Sequence, residues 1–193
     1  MKLIISNISK INCECQSINE YVNRLAPDDL SRYNSINNNL KKMQFLIGRM
    51  LVYENYGYNF FINKNGKLCT EDKYISLSHS EDLVILAISN NEIGVDIENI
   101  TKKRDFKNIG KFLNFNGYFK NNIDFYSKFT AYEADYKANT KAQTMYHTYY
   151  MINNFLICIS HLNNKTKIRT YNSIPFIKQS EVLLTSFNLS QYK

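Results

Sequence analysis

The 193-residue chain carries 24 Lys+Arg against 17 Asp+Glu, a formal net charge of +7, with 44% hydrophobic and 21% charged residues. That is an ordinary globular composition able to build a core, which excludes disordered, collagen-like and supercharged chains. The longest apolar runs, such as Leu83–Ala87 and Phe155–Ile159, fall far short of the roughly 20 residues of a bilayer span.

The amino terminus, Met1-Lys-Leu-Ile-Ile-Ser-Asn, lacks the apolar stretch and small-residue cleavage site of a secretory signal, so a cytoplasmic protein is expected. In that compartment Cys13, Cys15, Cys69 and Cys158 are expected as free thiols. Cys13 and Cys15, with the other Cys and His79, His147 and His161 scattered, make no zinc site. Residues 96–193 hold 14 Lys+Arg against 7 Asp+Glu, the whole positive excess. Such a surface attracts phosphates, nucleic acid, anionic lipid or an acidic protein, or is simply a solvated face. No zinc-finger spacing, RNP-like motif or basic helix supports nucleic acid.

Two prolines and six glycines leave no long flexible linker. Asn37-Asn38-Asn39 and Asn121-Asn122 read as loop or cap material. Leu40, Met43, Ile47, Met50 and Leu51 recur at three- and four-residue steps, which predicts an amphipathic helix over 40–53. Tyr58–Asn63 alternates around aromatics up to a turn at Asn65-Gly66. Tyr74–Ser78 and Leu83–Ser89 are β-rich runs joined at Ser80-Glu81-Asp82 in a hairpin-like arrangement. Ile93–Glu98 is a further strand, Phe125–Lys141 a helix, and Tyr149–His161 and Ser180–Phe187 strands. Helix, strands, helix, strands predicts an α+β fold with two similar halves.

In Ile93-Gly94-Val95-Asp96-Ile97-Glu98, alternation sends the three apolar residues to the core, and Asp96 and Glu98 together toward solvent or a cleft. The same pairing is common on a plain surface strand. Further along, Phe129, Glu133 and Lys137 stack on one helix face; a Glu–Lys pair at that spacing is also a routine surface feature. If helix and strand pack together, three carboxylates and a lysine converge, and the anions need a cation among them. Magnesium suits an oxygen-only set, while His and Cys for zinc are missing from both segments. A lysine one turn away is placed to hold a phosphate oxygen. The chemistry inferred is phosphoryl or pyrophosphate-type transfer.

Gly94-x-Asp96-x-Glu98, followed by aromatic-Thr-x-x-Glu133-Ala-x-x-Lys137, resembles the paired signature of the 4′-phosphopantetheinyl transferases, in particular the longer type that activates surfactin synthetase. Asn65-Gly66-Lys67-Leu68 is similar to the Gly-Lys-Pro motif of that group, and Leu77-Ser78-His79-Ser80 to its Ser-His-Ser motif. The four motifs lie in order across roughly residues 30–140.

The resemblance implies two pseudo-symmetric α/β halves, residues 1–92 and 93–193, with coenzyme A in the cleft between them. The implied reaction moves the phosphopantetheine arm to a serine of an apo carrier protein and releases adenosine 3′,5′-bisphosphate. By the same resemblance Asp96, Glu98 and Glu133 hold magnesium. Glu133 takes the serine proton and Lys137 stabilises the phosphates. Ser78 and His79 contact the 3′-phosphate or its ribose, Lys67 the nucleotide end, and Arg32 and Lys42 further phosphate oxygens. Arg49, two turns beyond Lys42 on the same helix, reads as a surface residue at least as well as a phosphate contact, and His147 and His161 read as structural or surface residues. Phe129 stands where the family has Trp, Tyr132 where it has a first Lys, and Leu68 where it has Pro; Tyr132 removes a positive charge. The partners implied are an acidic acyl or peptidyl carrier protein and coenzyme A, with no membrane or nucleic acid, and a monomer suffices because the cleft is internal. The alternative is a relative with weakened catalysis that binds coenzyme A or the carrier.

Overall fold

Lys2–Asn7 form strand β1, whose Leu3, Ile4 and Ile5 are buried toward both faces, so no alternation marks it in the sequence. A computed structural model describes residues 1–11, 15–63, 67–115, 119–138, 145–162, 167–174 and 178–181. Helices α1 (Cys15–Asn23) and α2 (Pro27–Ser35) follow, the second with Pro at its start and Asp28 and Asp29 in its first turn, both favourable to a helix N-terminus. Asn38 then caps α3 (Asn39–Asn55) by accepting the Lys41 N–H at 2.9 Å. Leu46, Ile47, Met50 and Leu51 are its fully buried stripe.

A short ribbon pairs β2 (Phe61–Ile62) with β3 (Leu68–Cys69); the Asn65-Gly66 turn lies outside the described residues. β4 (Tyr74–Ser80) and β5 (Leu83–Ser89) form the expected antiparallel hairpin. β6 (Ile93–Asn99) leads to α4 (Phe106–Phe112), capped by Asp105, and α5 (Asn122–Ala138), where Asn121 Oδ1 accepts the Asp124 N–H at 2.9 Å. The run expected as one strand over Tyr149–His161 is a hairpin: β7 (Tyr146–Ile152) turns at Asn153, φ 50°, into β8 (Phe155–His161). β9 (Arg169–Ile174) and β10 (Lys178–Glu181) complete the described chain, and residues 182–187 of the last expected strand lie outside it.

The chain is α+β. One sheet has the order β10-β9-β1-β5-β4, antiparallel except where β9 runs parallel to β1; the other is antiparallel, β6-β8-β7. Strands of residues 169–181 thus join the sheet built by β1, β4 and β5, on the far side of the 92/93 boundary. Helices α1–α3 cover one face of the first sheet through Ile4, Leu46, Met50, Val84 and Leu86. Its other face, with Leu3, Ile5, Ile85 and Ala87, shares a core with Val95, Ile97, Tyr150 and Ile159 of the second sheet. The outer face of that sheet carries Leu156 under Phe125 and Tyr126 of α5. The result is two sheets between helical layers, with edge strands β4 and β6 running alongside each other. Among the described residues no helix is long and apolar enough to cross a membrane, and Cys69 and Cys158 are free thiols.

Candidate active site

Gly94 sets how closely α5 approaches β6. A Cβ added there would lie 1.8 Å from the Ala134 carbonyl oxygen, so only glycine lets the helix backbone rest on the strand. On this face of β6, Asp96 and Glu98 follow Gly94, while Ile93, Val95 and Ile97 are buried on the other, as the alternation predicts. Lys137, one turn beyond Ala134, reaches Asp96 Oδ1 at 2.7 Å. Helix and strand therefore do meet.

The carboxylates differ in their partners. Asp96 is 5% exposed; its Oδ1 also accepts from Ser78 Oγ at 2.9 Å, while its buried Oδ2 has no hydrogen-bond partner. Both oxygens of Glu98 accept from Arg104 Nη2 at 2.8 Å, and the guanidinium lies 5.2 Å from the Phe129 ring centroid. Burial, above all, raises the Glu98 pKa despite Arg104. Burial followed by repulsion from Asp96 raises that of half-buried Glu133, with Lys137 opposing. Among the described residues no three His, Cys, Asp or Glu side chains are gathered as a closed metal cluster. Magnesium, however, usually takes one or two carboxylates and fills its remaining positions with water and phosphate. The unpartnered Asp96 Oδ2, with Glu133 close enough to feel its charge, fits that donor set. Glu98 in this arrangement is spent on Arg104.

Beside this cluster opens a cavity of about 650 Å³, lined among others by Arg32, Lys41, Arg49, Lys67, His79 and Lys137. That volume suits a nucleotide-sized ligand. Burial and the charge of Lys137 lower the His79 pKa although solvent reaches the ring, because it sits inside a concavity of protein. Burial also lowers that of Lys67. Arg49 is 4% exposed, and its Nε donates to Asp29 Oδ1 at 2.7 Å. The Tyr53 hydroxyl, pushed up to about 12 by burial and Asp29, donates to Asp29 Oδ2. Phe45 packs between two guanidinium groups, Arg32 at 5.5 Å and Arg49 at 4.8 Å from its centroid.

Most residues singled out from the sequence meet here: Arg32, Lys67, His79 and Lys137 on the cavity wall, with Asp96 and Glu133 next to them. Besides Glu98, which Arg104 engages, two do not follow expectation. Lys42 points away from the cavity and lies 4.5 Å from the Tyr33 ring centroid, because one residue of helix is a rotation of about 100°; Lys41 takes its place. Ser78 lies off the cavity wall, turned to Asp96 and Lys137, because adjacent strand residues face opposite ways. Sequence reasoning missed Lys41 and Gln44 and left Arg49 open between a phosphate-binding and a surface residue, although 41, 45 and 49 share a helix face; the structure buries Arg49 on the cavity wall. It also missed Arg104, for which no spacing gave a signal. His147 meets Asp135 at 2.8 Å and His161 meets Thr148, which fits a structural role for both.

No protein-family model matches the chain, and no curated protein matches it.

Proposed function

We propose that the protein is a magnesium-dependent 4′-phosphopantetheinyl transferase, moving the phosphopantetheine arm of coenzyme A to a serine of an apo carrier protein. The observation that carries this reading is the cluster of Asp96, Glu133 and Lys137 beside a cavity walled by Arg32, Lys41, Lys67 and His79. A ligand with several phosphates and a planar base matches such a wall, and a pyrophosphate matches the carboxylate and lysine cluster with a divalent cation. The two sheets meet at β4 and β6, and β4 carries His79 to the cavity wall.

Asp96 through Oδ2, with Glu133, would hold magnesium, which supplies charge neutralisation for the pyrophosphate. The carrier serine hydroxyl gives its proton to Glu133. The serine oxygen forms a bond to the pantetheine-side phosphorus. The bond from that phosphorus to the bridging oxygen breaks, and adenosine 3′,5′-bisphosphate leaves. Lys137, fixed on Asp96, sits where charge accumulates on the phosphates. Arg32, Lys41, Lys67 and His79 bind the nucleotide.

Incubation with coenzyme A, magnesium and a panel of apo carriers tests the proposal: one phosphopantetheine mass is gained by a carrier, and no gain on any carrier sinks it. The engagement of both Glu98 oxygens by Arg104 favours a second reading, a relative that binds coenzyme A without turnover. Saturable coenzyme A binding with no transfer selects it.

A further inference from the structure

The side chains of Ser76, Ser78 and Ser80 lie on one face of β4, turned toward β6, and those of Leu77 and His79 on the other; Ser76, Leu77 and His79 reach the cavity wall, whereas Ser78 and Ser80 do not. The outer two serines join the sheets: Ser76 Oγ accepts the Val95 N–H at 3.0 Å, and Ser80 Oγ the Asn99 N–H at 3.3 Å. The middle one serves side chains. Ser78, 5% exposed, accepts from Lys137 Nζ at 2.9 Å and donates to Asp96 Oδ1 at 2.9 Å, while Lys137 Nζ donates to the same Oδ1 at 2.7 Å. Three groups from β4, β6 and α5 close a ring, and both donors fall on one carboxylate oxygen. The other, Oδ2, is buried and unpartnered, a state that is costly for a carboxylate unless a ligand completes it. Two donors on Oδ1 prevent the carboxylate from rotating to share them.

We infer that Ser78 is a positioning residue: it pins the Lys137 ammonium and one Asp96 oxygen, so that the other Asp96 oxygen is offered to the ligand, and it does not touch coenzyme A itself. The assignment rests on the phosphopantetheinyl transfer reading for its kinetic consequence, and on geometry alone for the bonding. It links the two sheets to the chemistry, since any slip between β4 and β6 moves the lysine and the aspartate together.

The test compares Ser78→Ala and Ser78→Thr, with Ser80→Ala, off the cavity wall, as the control for the bonds between sheets. In proton–nitrogen NMR, a hydrogen-bonded Lys137 ammonium, assigned through Lys137→Arg, is protected from exchange in the wild type and Ser78→Thr, and its signal is lost in Ser78→Ala. In the transfer assay Ser78→Ala lowers kcat by about 10- to 100-fold with KM for coenzyme A nearly unchanged, Ser78→Thr recovers most of it, and Ser80→Ala keeps full kcat. An ammonium equally protected in Ser78→Ala, or a raised KM at unchanged kcat, overturns the assignment. Should Ser78→Ala fail to fold, Ser78→Cys carries the same comparison, sulfur being a weak donor and acceptor. If the wild type modifies no carrier, the transfer reading falls while the ammonium signal still decides the role of Ser78.

Discussion

Replacing Gly94 by alanine tests whether the approach of α5 to β6 builds the site. The new methyl carbon would meet the Ala134 carbonyl oxygen at 1.8 Å and Ala138 N at 2.8 Å, backbone atoms that cannot rotate aside. Restoring even 3.0 Å requires the helix to retreat by about 1.2 Å. Overpacking of this kind costs about 1–3 kcal/mol, and the upper end applies because the obstacle is backbone. Lys137 travels with the helix, so its 2.7 Å contact to Asp96 opens beyond hydrogen-bond range. A displacement of about 1 Å is worth about 100-fold in rate. Gly48→Ala is the matched control. There the new carbon meets only the tip of Leu77, at 2.8 Å, which turns away, and alanine favours the helix by about 0.8–1.0 kcal/mol. Urea unfolding followed by circular dichroism, together with the carrier mass assay, should show Gly94→Ala losing about 3 kcal/mol and most transfer, with Gly48→Ala near wild type on both. A Gly94→Ala protein within about 0.5 kcal/mol of wild type and fully active would refute the reasoning.

Other expectations follow from the same geometry. Glu133→Gln abolishes transfer yet raises stability at neutral pH: the folded-state pKa of Glu133 is raised, so stability present below its ordinary 4.5 is lost as pH climbs through the folded value, and Gln removes that loss; equal or lower stability at pH 7 in urea melts counts against it. The His79 pKa is lowered in the free protein, so its stability contribution, full above 6.5, is lost as pH falls through the folded value. An anion in the cavity favours the imidazolium, so binding of adenosine 3′,5′-bisphosphate takes up a proton at His79, read by calorimetry in buffers of different ionisation enthalpy, and His79→Gln reduces that uptake; uptake unchanged in the variant removes His79 from the site. Asp29→Ala leaves buried Arg49 without its carboxylate and costs about 3–5 kcal/mol in urea unfolding; under about 1 kcal/mol would mean that the pair is dispensable. Reversing exposed Lys102, Lys103 and Lys107 to Glu weakens an acidic carrier and its salt dependence while leaving coenzyme A affinity nearly unchanged. Equal loss of both assigns these charges to the solvated surface.

Elements with a clean period were legible from residues alone. The stripe of α3, the β4–β5 hairpin and the alternation of β6 each bury one side, so their patterns survive in the sequence. β1 left no such trace, because Leu3, Ile4 and Ile5 are covered from both faces. The β7–β8 turn was missed because Asn153-Asn154 joins aromatic and β-branched runs without a glycine. At the site, residue types and spacing identified Asp96, Glu133 and Lys137, whose convergence depends on one glycine contact. Which neighbour faces the cavity, Lys41 or Lys42, His79 or Ser78, was a matter of rotation that the helix and strand periods already contained. Arg104 on Glu98 was not legible, since a loop residue six positions along has no fixed direction.

The parallel pairing of β1 with β9 also bears on how the chain acquires its shape. Lys2 sits opposite Arg169, so the chain must be synthesised as far as β9 before that edge of β1 can be covered. Until then a ribosome-bound chain exposes the open edge of an apolar strand, a template for pairing with other chains. Expression of residues 1–92 alone would make that exposure permanent, and the fragment is expected to aggregate. Pairing with β9 buries that edge of β1 inside the sheet, and the exposed edges pass to β10 and β4.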